Sequence, residues 1–201
     1  MSLIVEKHIA GGVKFTLPDC VIIDETVTIG AGTTIDGAVV LRGNTVIGCN
    51  CTINASQIYD SALDDGVTVG PYAYIRPGCH LAGGARVGSF VELKNTRVGK
   101  DTNIPHLSYV GDADIGEHVN FGCGAITANF DGEKKHRTEI GHGAFIGSNA
   151  VLLAPSKIGA GAFVAAGSTV TGEVPDYALA VARVRDTVIR EDWAKERERN
   201  W

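Results

Sequence analysis

The sequence lacks both long hydrophobic runs and blocks of like charge. No apolar stretch approaches the roughly 18 residues that a transmembrane helix needs, and no segment has the pattern of a signal peptide. The 18 basic and 23 acidic residues give a net charge of −5 and are interspersed, which argues against the basic surface typical of nucleic-acid-binding proteins. We therefore expect a cytoplasmic protein with neither nucleic-acid nor membrane partners.

Cysteine is sparse and shows no disulfide or metal-binding pattern. The 5 cysteines are odd in number and form no Cys-x-x-Cys pair, which favours reduced, partly buried thiols. A zinc site needs several imidazoles that converge, and the histidine spacing does not suggest one. We predict no metal site and expect most histidines at exposed corners or loops: His8, His80, His118, His136 and His142.

The sequence has instead an aliphatic residue at nearly every sixth position, often followed by glycine. Neither an α-helix nor a simple strand produces that period, which is typical of a hexapeptide-repeat β-helix. A few five-residue steps occur within it. The series comprises Ile23, Ile29, Ile35, Leu41, Ile47, Ile53, Leu63, Val69, Ile75, Leu81, Val87, Leu93, Val98, Ile104, Val110, Ile115, Phe121, Ile140, Ile146, Leu152, Ile158, Val164 and Val170.

In such a solenoid each hexad is one short strand plus a corner, and three hexads make a triangular coil. One aliphatic side chain per hexad points inward, and its burial contributes roughly 1.5–3 kcal/mol. The glycines that follow, such as Gly30 and Gly141, are predicted to turn the chain with a positive φ, which glycine accepts without a Cβ clash. Known hexapeptide helices wind left-handed. The predicted fold class is therefore all-β, a left-handed parallel β-helix.

We divide the chain into three segments. Residues 1–20 lack the repeat and are expected to form an N-terminal cap or an additional edge. Residues 21–173 are predicted to form the β-helix, with an inserted loop at 128–139. Residues 174–201 are predicted to form an arm with a short C-terminal helix over 186–200. The open ends and flat faces of a solenoid favour caps and homo-oligomers.

Two breaks in the repeat are candidates for a functional site. The first is the segment around His106, where a proline precedes the histidine and a Ser-Tyr pair follows it; catalytic and structural roles are both open. The second is the polar insertion ANFDGEKKHRTE, which is too long to be a corner. A loop that leaves a rigid scaffold can form the wall of a site. The insertion carries Asn129, Lys134, Lys135 and Arg137, which are suited to holding an anion, although a solvated loop with surface lysines is the more ordinary interpretation.

Several longer motifs are more specific than the repeat. In order they are GPYAYIRPG, GSFVELKNTRVG, HLSYVGDADIG, VNFGCGAITANFDGEKKH, IGSNAVLLAP, AAGSTVTGEVP and ALAVARV. Together they closely resemble the acetyltransferase domain of the bifunctional N-acetylglucosamine-1-phosphate uridyltransferase/glucosamine-1-phosphate N-acetyltransferase family. The resemblance covers about residues 69–185, and residues 20–68 match more loosely as repeat.

The resemblance implies acetyl transfer from acetyl-CoA, as co-substrate, to the amino group of glucosamine-1-phosphate, a step toward UDP-N-acetylglucosamine and peptidoglycan. It implies a homotrimer with sites between subunits and no metal requirement. His106 matches the family's catalytic base. The residues that match sugar-phosphate ligands are Arg76, Lys94, Tyr109, Asn120 and Lys135. The residues that match acetyl-CoA ligands are Cys123, Asn129, Phe130, Ser148, Ala166 and Arg183.

The sequence departs from the family pattern in three ways. Phe130 stands where the family has tyrosine, and Cys123 stands where a small residue, usually alanine, is found. No nucleotidyltransferase signature is present, so we expect a stand-alone acetyltransferase unit, and its acceptor stays open. The alternatives are transfer to another amino sugar or to a nucleotide-linked amino sugar, or a non-catalytic scaffold. A covalent role for Cys123 is a minor alternative.

Overall fold

The computed structural model describes residues 2–184 as a triangular prism of parallel strands. The chain runs along a first, a second and a third face in turn, and each strand pairs with the equivalent strand one coil away. The predicted parallel β-helix is confirmed, and its hexapeptide repeats fit the left-handed form. The C-terminal helix predicted over 186–200 lies outside the described residues.

Ten strands form the first face. They are Lys14–Phe15, Thr34–Asp36, Thr52–Asn54, Thr68–Val69, Arg86–Ser89, Asn103–His106, Asn120–Phe121, Phe145–Ile146, Phe163–Val164 and Leu179–Ala180.

The second and third faces share one continuous sheet, because Val151–Ile158 and Thr169–Val174 each run along both. The other second-face strands are Ile22–Ile23, Val40–Arg42, Gln57–Tyr59, Tyr74–Ile75, Glu92–Lys94, Tyr109–Gly111 and Ile126–Ala128. The other third-face strands are Thr28–Ile29, Val46–Ile47, Ala62–Leu63, His80–Leu81, Arg97–Val98, Ala113–Ile115 and Thr138–Ile140.

The core is the stack of inward-pointing aliphatic side chains that the six-residue period predicts. From Ile35 onward every residue of that series is buried, whereas Ile23 and Ile29 near the open end are only partly covered. The period misses Ile58, which is fully buried on the second face after a five-residue step from Ile53. A five-residue step keeps the inward position because one corner is shortened while the strand keeps its register.

The glycines after the inward aliphatics are needed for a reason other than the one predicted. Gly30 and Gly141 do not have positive φ angles. A Cβ at Gly30 would lie 2.6 Å from the backbone nitrogen of Cys49, and one at Gly141 would lie 2.5 Å from that of Ala160. The predicted positive φ is therefore wrong for these two positions. Glycine is required there because successive coils approach too closely for any side chain.

The two ends of the described chain differ. At the N-terminus the helix Leu3–Ala10 precedes the coil, with Val5 buried, and the strand Lys14–Phe15 pairs with Thr34–Ile35 of the first face. At the other end the ladder continues past Val174, since Leu179–Ala180 pairs with Phe163–Val164. No helix within residues 2–184 is long and apolar enough to cross a membrane.

Candidate functional site

His106 lies at the edge of the prism between the first and second faces. It ends the first-face strand Asn103–His106 and is exposed, and its carbonyl accepts a hydrogen bond of 2.8 Å from the hydroxyl of Ser108. Leu107 turns the edge with a φ of 40°, and Tyr109 then begins the second face. We call this line of corners the His106 edge. The short, braced turn fixes where the imidazole leaves the scaffold.

Three predicted acetyl-CoA residues stack along the same edge on successive coils. The amide of Asn149 donates to the carbonyl of Cys123, and the amide of Gly167 donates to the carbonyl of Ser148; Ala166 lies in the next corner. Among residues 2–184, no hydrogen bond uses the backbone N–H groups of Cys123, Ser148 or Ala166. This edge therefore presents three exposed residues whose backbone N–H groups have no partner within the described chain.

Arg183 follows the last described strand and is exposed. A Cβ placed at Gly167 would lie 3.9 Å from its Cδ, which locates its side chain by the end of the His106 edge.

The three predicted phosphate ligands come together at the opposite margin of the second face. Arg76 follows the strand Tyr74–Ile75, and Lys94 ends the strand Glu92–Lys94 one coil away. Lys135, from the inserted loop, comes close enough to Lys94 to lower its pKa by placing a second ammonium group beside it; slight burial adds to this effect, and Asp112 opposes it. Like charges gathered in this way form a surface suited to an anion.

Arg76 is fixed in place by an acidic neighbour that the sequence analysis did not single out. Its Nη1 donates to the Oε1 of Glu92 at 2.9 Å, and this hydrogen bond raises the pKa of Arg76. Tyr109 lies in register with Glu92 one coil further along and adds to the electrostatic environment of the guanidinium. Arg76 and Tyr109 therefore share one partly exposed patch of the second face.

A buried carboxylate lies beneath the lysine pair. Asp112 is 6% exposed and accepts hydrogen bonds from the side-chain amides of Asn95, at 2.6 Å, and Asn129. Burial alone would raise the pKa of Asp112, but the two amides and the charges of Lys94 and Lys135 outweigh it, and the pKa is lowered. Asn129, predicted as an acetyl-CoA ligand, is also 6% exposed, and its side-chain amide donates to this carboxylate.

The inserted loop is a compact turn between the second and third faces. Phe130 and Lys135 face each other across an antiparallel bridge. At the tip, Asp131 accepts from the backbone N–H groups of Glu133 and Lys134, both at 2.8 Å, and lies 2.6 Å from the His136 ring. Those contacts hold the pKa of Asp131 well below its usual range. Phe130 is 58% exposed at the start of the turn.

Arg137, a candidate anion ligand on sequence grounds, has other partners in the structure. Its Nε and Nη2 donate to the two carboxylate oxygens of Asp114, each at 2.8 Å. Nη2 also donates to the carbonyl of Ala113 and Nη1 to that of Asn95. Asp114 raises the pKa of Arg137 by these hydrogen bonds. Arg137 attaches the end of the loop to the prism.

Asn120 lies apart from the other predicted sugar ligands. It begins the first-face strand Asn120–Phe121, in register with Asn103 and Phe145, and points outward from that face. Arg76, Lys94 and Tyr109 lie on the second face. Within one chain, therefore, the described structure does not bring Asn120 to the cationic patch.

Neither Glu92 nor Asp112 was predicted as part of the site. Both fall inside the motifs that carry the family resemblance. Glu92 lies two positions before Lys94 and Asp112 three positions after Tyr109, and this closeness to predicted site residues is the signal that could have found them. In residues 2–184 no three His, Cys, Asp or Glu side chains come together in an arrangement that could hold a metal ion, and the five cysteines are unpaired thiols.

Comparison with known proteins agrees with this architecture. The bacterial transferase hexapeptide family (six repeats) matches residues 137–172. The bifunctional protein GlmU of Brevibacillus brevis is 44% identical over 199 residues, which cover 90% of this chain and 43% of that protein. GlmU of Caldicellulosiruptor saccharolyticus is 54% identical over 152 residues, which cover 76% of this chain and 33% of that protein. The chain is a hexapeptide-repeat relative of the GlmU proteins.

The resemblance found in the motifs is thereby confirmed. The chain spans less than half the length of these relatives. Among solved structures, the UDP-N-acetylglucosamine acyltransferase from Campylobacter jejuni superimposes with a TM-score of 0.66 and 16% identity, covering 84% of this chain and 71% of that one. At that identity the likeness supports the fold alone.

Proposed function

We propose that this GlmU relative is an acyltransferase that moves the acetyl group of acetyl-CoA to the amino group of glucosamine-1-phosphate. The observation that carries the proposal is that Arg76 and Lys94 lie side by side on adjacent coils, with Lys135 of the inserted loop at the same margin of the second face. A phosphate dianion is bound best by several charge-assisted donors, and arginine can bind it bidentately.

The two margins of the second face suggest how the substrates lie. The phosphate would bind at the cationic margin, and the sugar would extend past Tyr109 toward His106. The backbone N–H groups of Cys123, Ser148 and Ala166, which have no partner in the described chain, would donate hydrogen bonds to the carbonyl oxygens of the acetyl-CoA arm. With Phe130 and Arg183 as further contacts, this arrangement would bring the amine and the thioester together at His106, and positioning of this kind can supply a large part of a rate enhancement.

In the proposed reaction, the nitrogen lone pair of the neutral amine attacks the thioester carbon. A carbon–nitrogen bond forms and the carbon–sulfur bond breaks. His106 accepts the proton that the nitrogen loses and returns it to the departing thiolate, and general-base help of this kind is typically worth about 10²–10⁴-fold. A backbone N–H near Cys123 would stabilise the tetrahedral oxyanion. No acyl-enzyme is required.

The position of Asn120 leads us to propose a homotrimer with shared sites. The first face of one copy, with Asn120, would lie against the second face of its neighbour. Tyr72, Phe90 and Leu107 support this arrangement, because they are 60–63% exposed beside His106 and form an apolar strip that a second copy would cover. The ring centroids of Tyr72 and Phe90 lie 5.4 Å apart, so the strip is continuous.

Thiol release from acetyl-CoA across a panel of acceptors tests the proposed function. We expect release with glucosamine-1-phosphate and much weaker release with free glucosamine. Equal rates with the two would contradict phosphate recognition by the three cations. Faster release with a nucleotide-linked amino sugar would assign that compound as the acceptor. If no amine causes thiol release, the chain is a non-catalytic scaffold.

A further inference from the structure

The loop that carries Lys135 is attached to the prism at both of its ends. At its start, Asn129 donates to the buried carboxylate of Asp112. At its end, Arg137 makes a two-point ion pair with Asp114 and hydrogen bonds to the carbonyls of Asn95 and Ala113. Between these points the turn is internally braced by Asp131. The loop is therefore a rigid arm whose direction depends on its two attachments.

The two attachments are not equivalent. Asn129 is buried, and Asp112 also holds Asn95 of the neighbouring coil, so a change there would disturb the prism. Arg137 and Asp114 are 40% and 42% exposed, and their contacts join the loop end to the third face without supporting the core. Lys135 precedes Arg137 by two positions and pairs with Phe130 across the loop, and the backbone N–H of His136 donates to the carbonyl of Asn129. The guanidinium therefore acts together with these backbone contacts in placing the last part of the arm.

We propose that Arg137 is a positioning residue that holds Lys135 opposite Lys94, and that it acts on phosphate affinity only through Lys135. This inference rests on the proposed function for its ligand. Bringing two ammonium groups together is unfavourable, and the carboxylate of Asp112 offsets the repulsion only in part, since the pKa of Lys94 stays lowered. Attachment of the loop to the prism opposes the remaining repulsion. The bidentate geometry suits arginine, because lysine cannot make the same planar pair of bonds with a carboxylate. Four of the five N–H donors of Arg137 are used in these contacts, so Arg137 need not touch the phosphate.

A double-variant experiment on steady-state kinetics separates this role from direct binding. We expect Lys135→Met to raise KM for glucosamine-1-phosphate about 10–100-fold, the effect of losing one charge-assisted hydrogen bond. Arg137→Gln should raise KM about 5–20-fold with kcat within about twofold. The KM of Arg137→Lys should lie between those of wild type and Arg137→Gln.

The double variant Arg137→Gln/Lys135→Met should match Lys135→Met within about twofold, because residues that act through one another are not additive. Multiplicative losses in KM would overturn the proposal and assign Arg137 a direct contact with the anion. Lys157→Gln is the matched control, since it removes another exposed cation paired with a carboxylate on the third face, 3.7 Å from Glu173. It should leave KM unchanged.

A second measurement does not depend on turnover. Reductive ¹³C-methylation of the full chain and NMR titration would report the pKa of Lys94, with its signal assigned by loss in Lys94→Arg. Lys135 lowers the pKa of Lys94, so both Lys135→Met and Arg137→Gln should raise it. An unchanged titration of Lys94 in Arg137→Gln would overturn the proposal. If wild type acetylates no phosphorylated acceptor, the proposed function fails, yet this titration still decides whether Arg137 places Lys135.

Discussion

At the scale of single residues, the proposed chemistry depends on His106. It stands at an exposed corner braced by Ser108, beside amide donors that no other part of the described chain uses. Imidazole suits the role because its charge changes nearest to neutral pH among the side chains. Its contribution is separable from substrate binding, since the cationic patch lies at the other margin of the second face.

We predict that His106→Ala lowers kcat for acetyl transfer by about 10² or more, the ordinary contribution of a general base. Affinity for acetyl-CoA, measured by calorimetry, should stay within about threefold, because the proposed cofactor contacts lie elsewhere along the edge. Near-wild-type turnover would exclude His106 as the base. His80→Ala is a suitable control, since His80 is an exposed third-face histidine paired with Asp64.

Asp112 gives a residue-scale prediction about stability and pH. Asp112→Asn removes a carboxylate that accepts from two side-chain amides and introduces a donor in its place, and we expect a loss of about 1–3 kcal/mol in the free energy of unfolding at pH 7. The folded-state pKa of Asp112 is lowered, so its ionisation stabilises the fold above the ordinary aspartate range, and this contribution is lost as pH falls through the lowered value.

Denaturation of wild type and Asp112→Asn between neutral and acid pH checks this sign. The difference in stability between them should shrink as pH falls. A difference that is constant with pH would show that the carboxylate's charge does not contribute.

At the scale of structural elements, the corners limit what the repeat tolerates. Gly141→Ala would place a Cβ 2.5 Å from the backbone nitrogen of Ala160 in the next coil, where the backbone cannot move aside. We expect it to destabilise the fold by about 1–3 kcal/mol, the usual cost of overpacking, or more. Gly83→Ala is the matched control, since its nearest neighbour would lie 3.3 Å away and its φ is not positive. Thermal unfolding should show a clearly larger loss for Gly141→Ala.

At the scale of the whole molecule, Asn120 lies on a different face from the cationic patch, which predicts active sites shared between subunits. Arg76→Ala and Asn120→Ala should each be nearly inactive. If each site takes Arg76 from one subunit and Asn120 from the next, mixed trimers formed by co-expression regain intact sites. Random assembly in equal amounts should restore about a quarter of wild-type activity, because the interface is head-to-tail.

No recovery in verified mixed oligomers would contradict a shared site, and a monomer by light scattering would contradict the trimer itself. Mixing two tagged copies of Arg76→Ala is the control, since no arrangement of that variant regains an intact site.

Several features of the fold were predictable because they repeat. The inward aliphatic column from Ile35 to Val170 follows from the period alone, since one buried position per short strand must recur at the length of one hexad. Ile58 was missed because a shortened corner shifts the count. The role of Gly30 was misassigned, because the local sequence does not show how closely neighbouring coils approach each other.

The site was predictable only as a set of residues. Motif resemblance grouped Arg76, Lys94 and Lys135, and the structure brings them to one margin. The separate position of Asn120, the partners of Arg137 and the buried carboxylate of Asp112 could not be predicted. Each depends on contacts between residues in different coils, such as Arg137 with Asn95.

By itself, then, the sequence determined a parallel β-helix and the interruptions in it, because short-range periodicity dictates which side chains turn inward. Only the tertiary structure decided that Arg137 anchors the loop and that Asn120 lies on a different face from Lys94. The physical reason is that the chain winds in stacked coils. Two residues become neighbours when they lie on the same face of adjacent coils, even if they are far apart in the sequence.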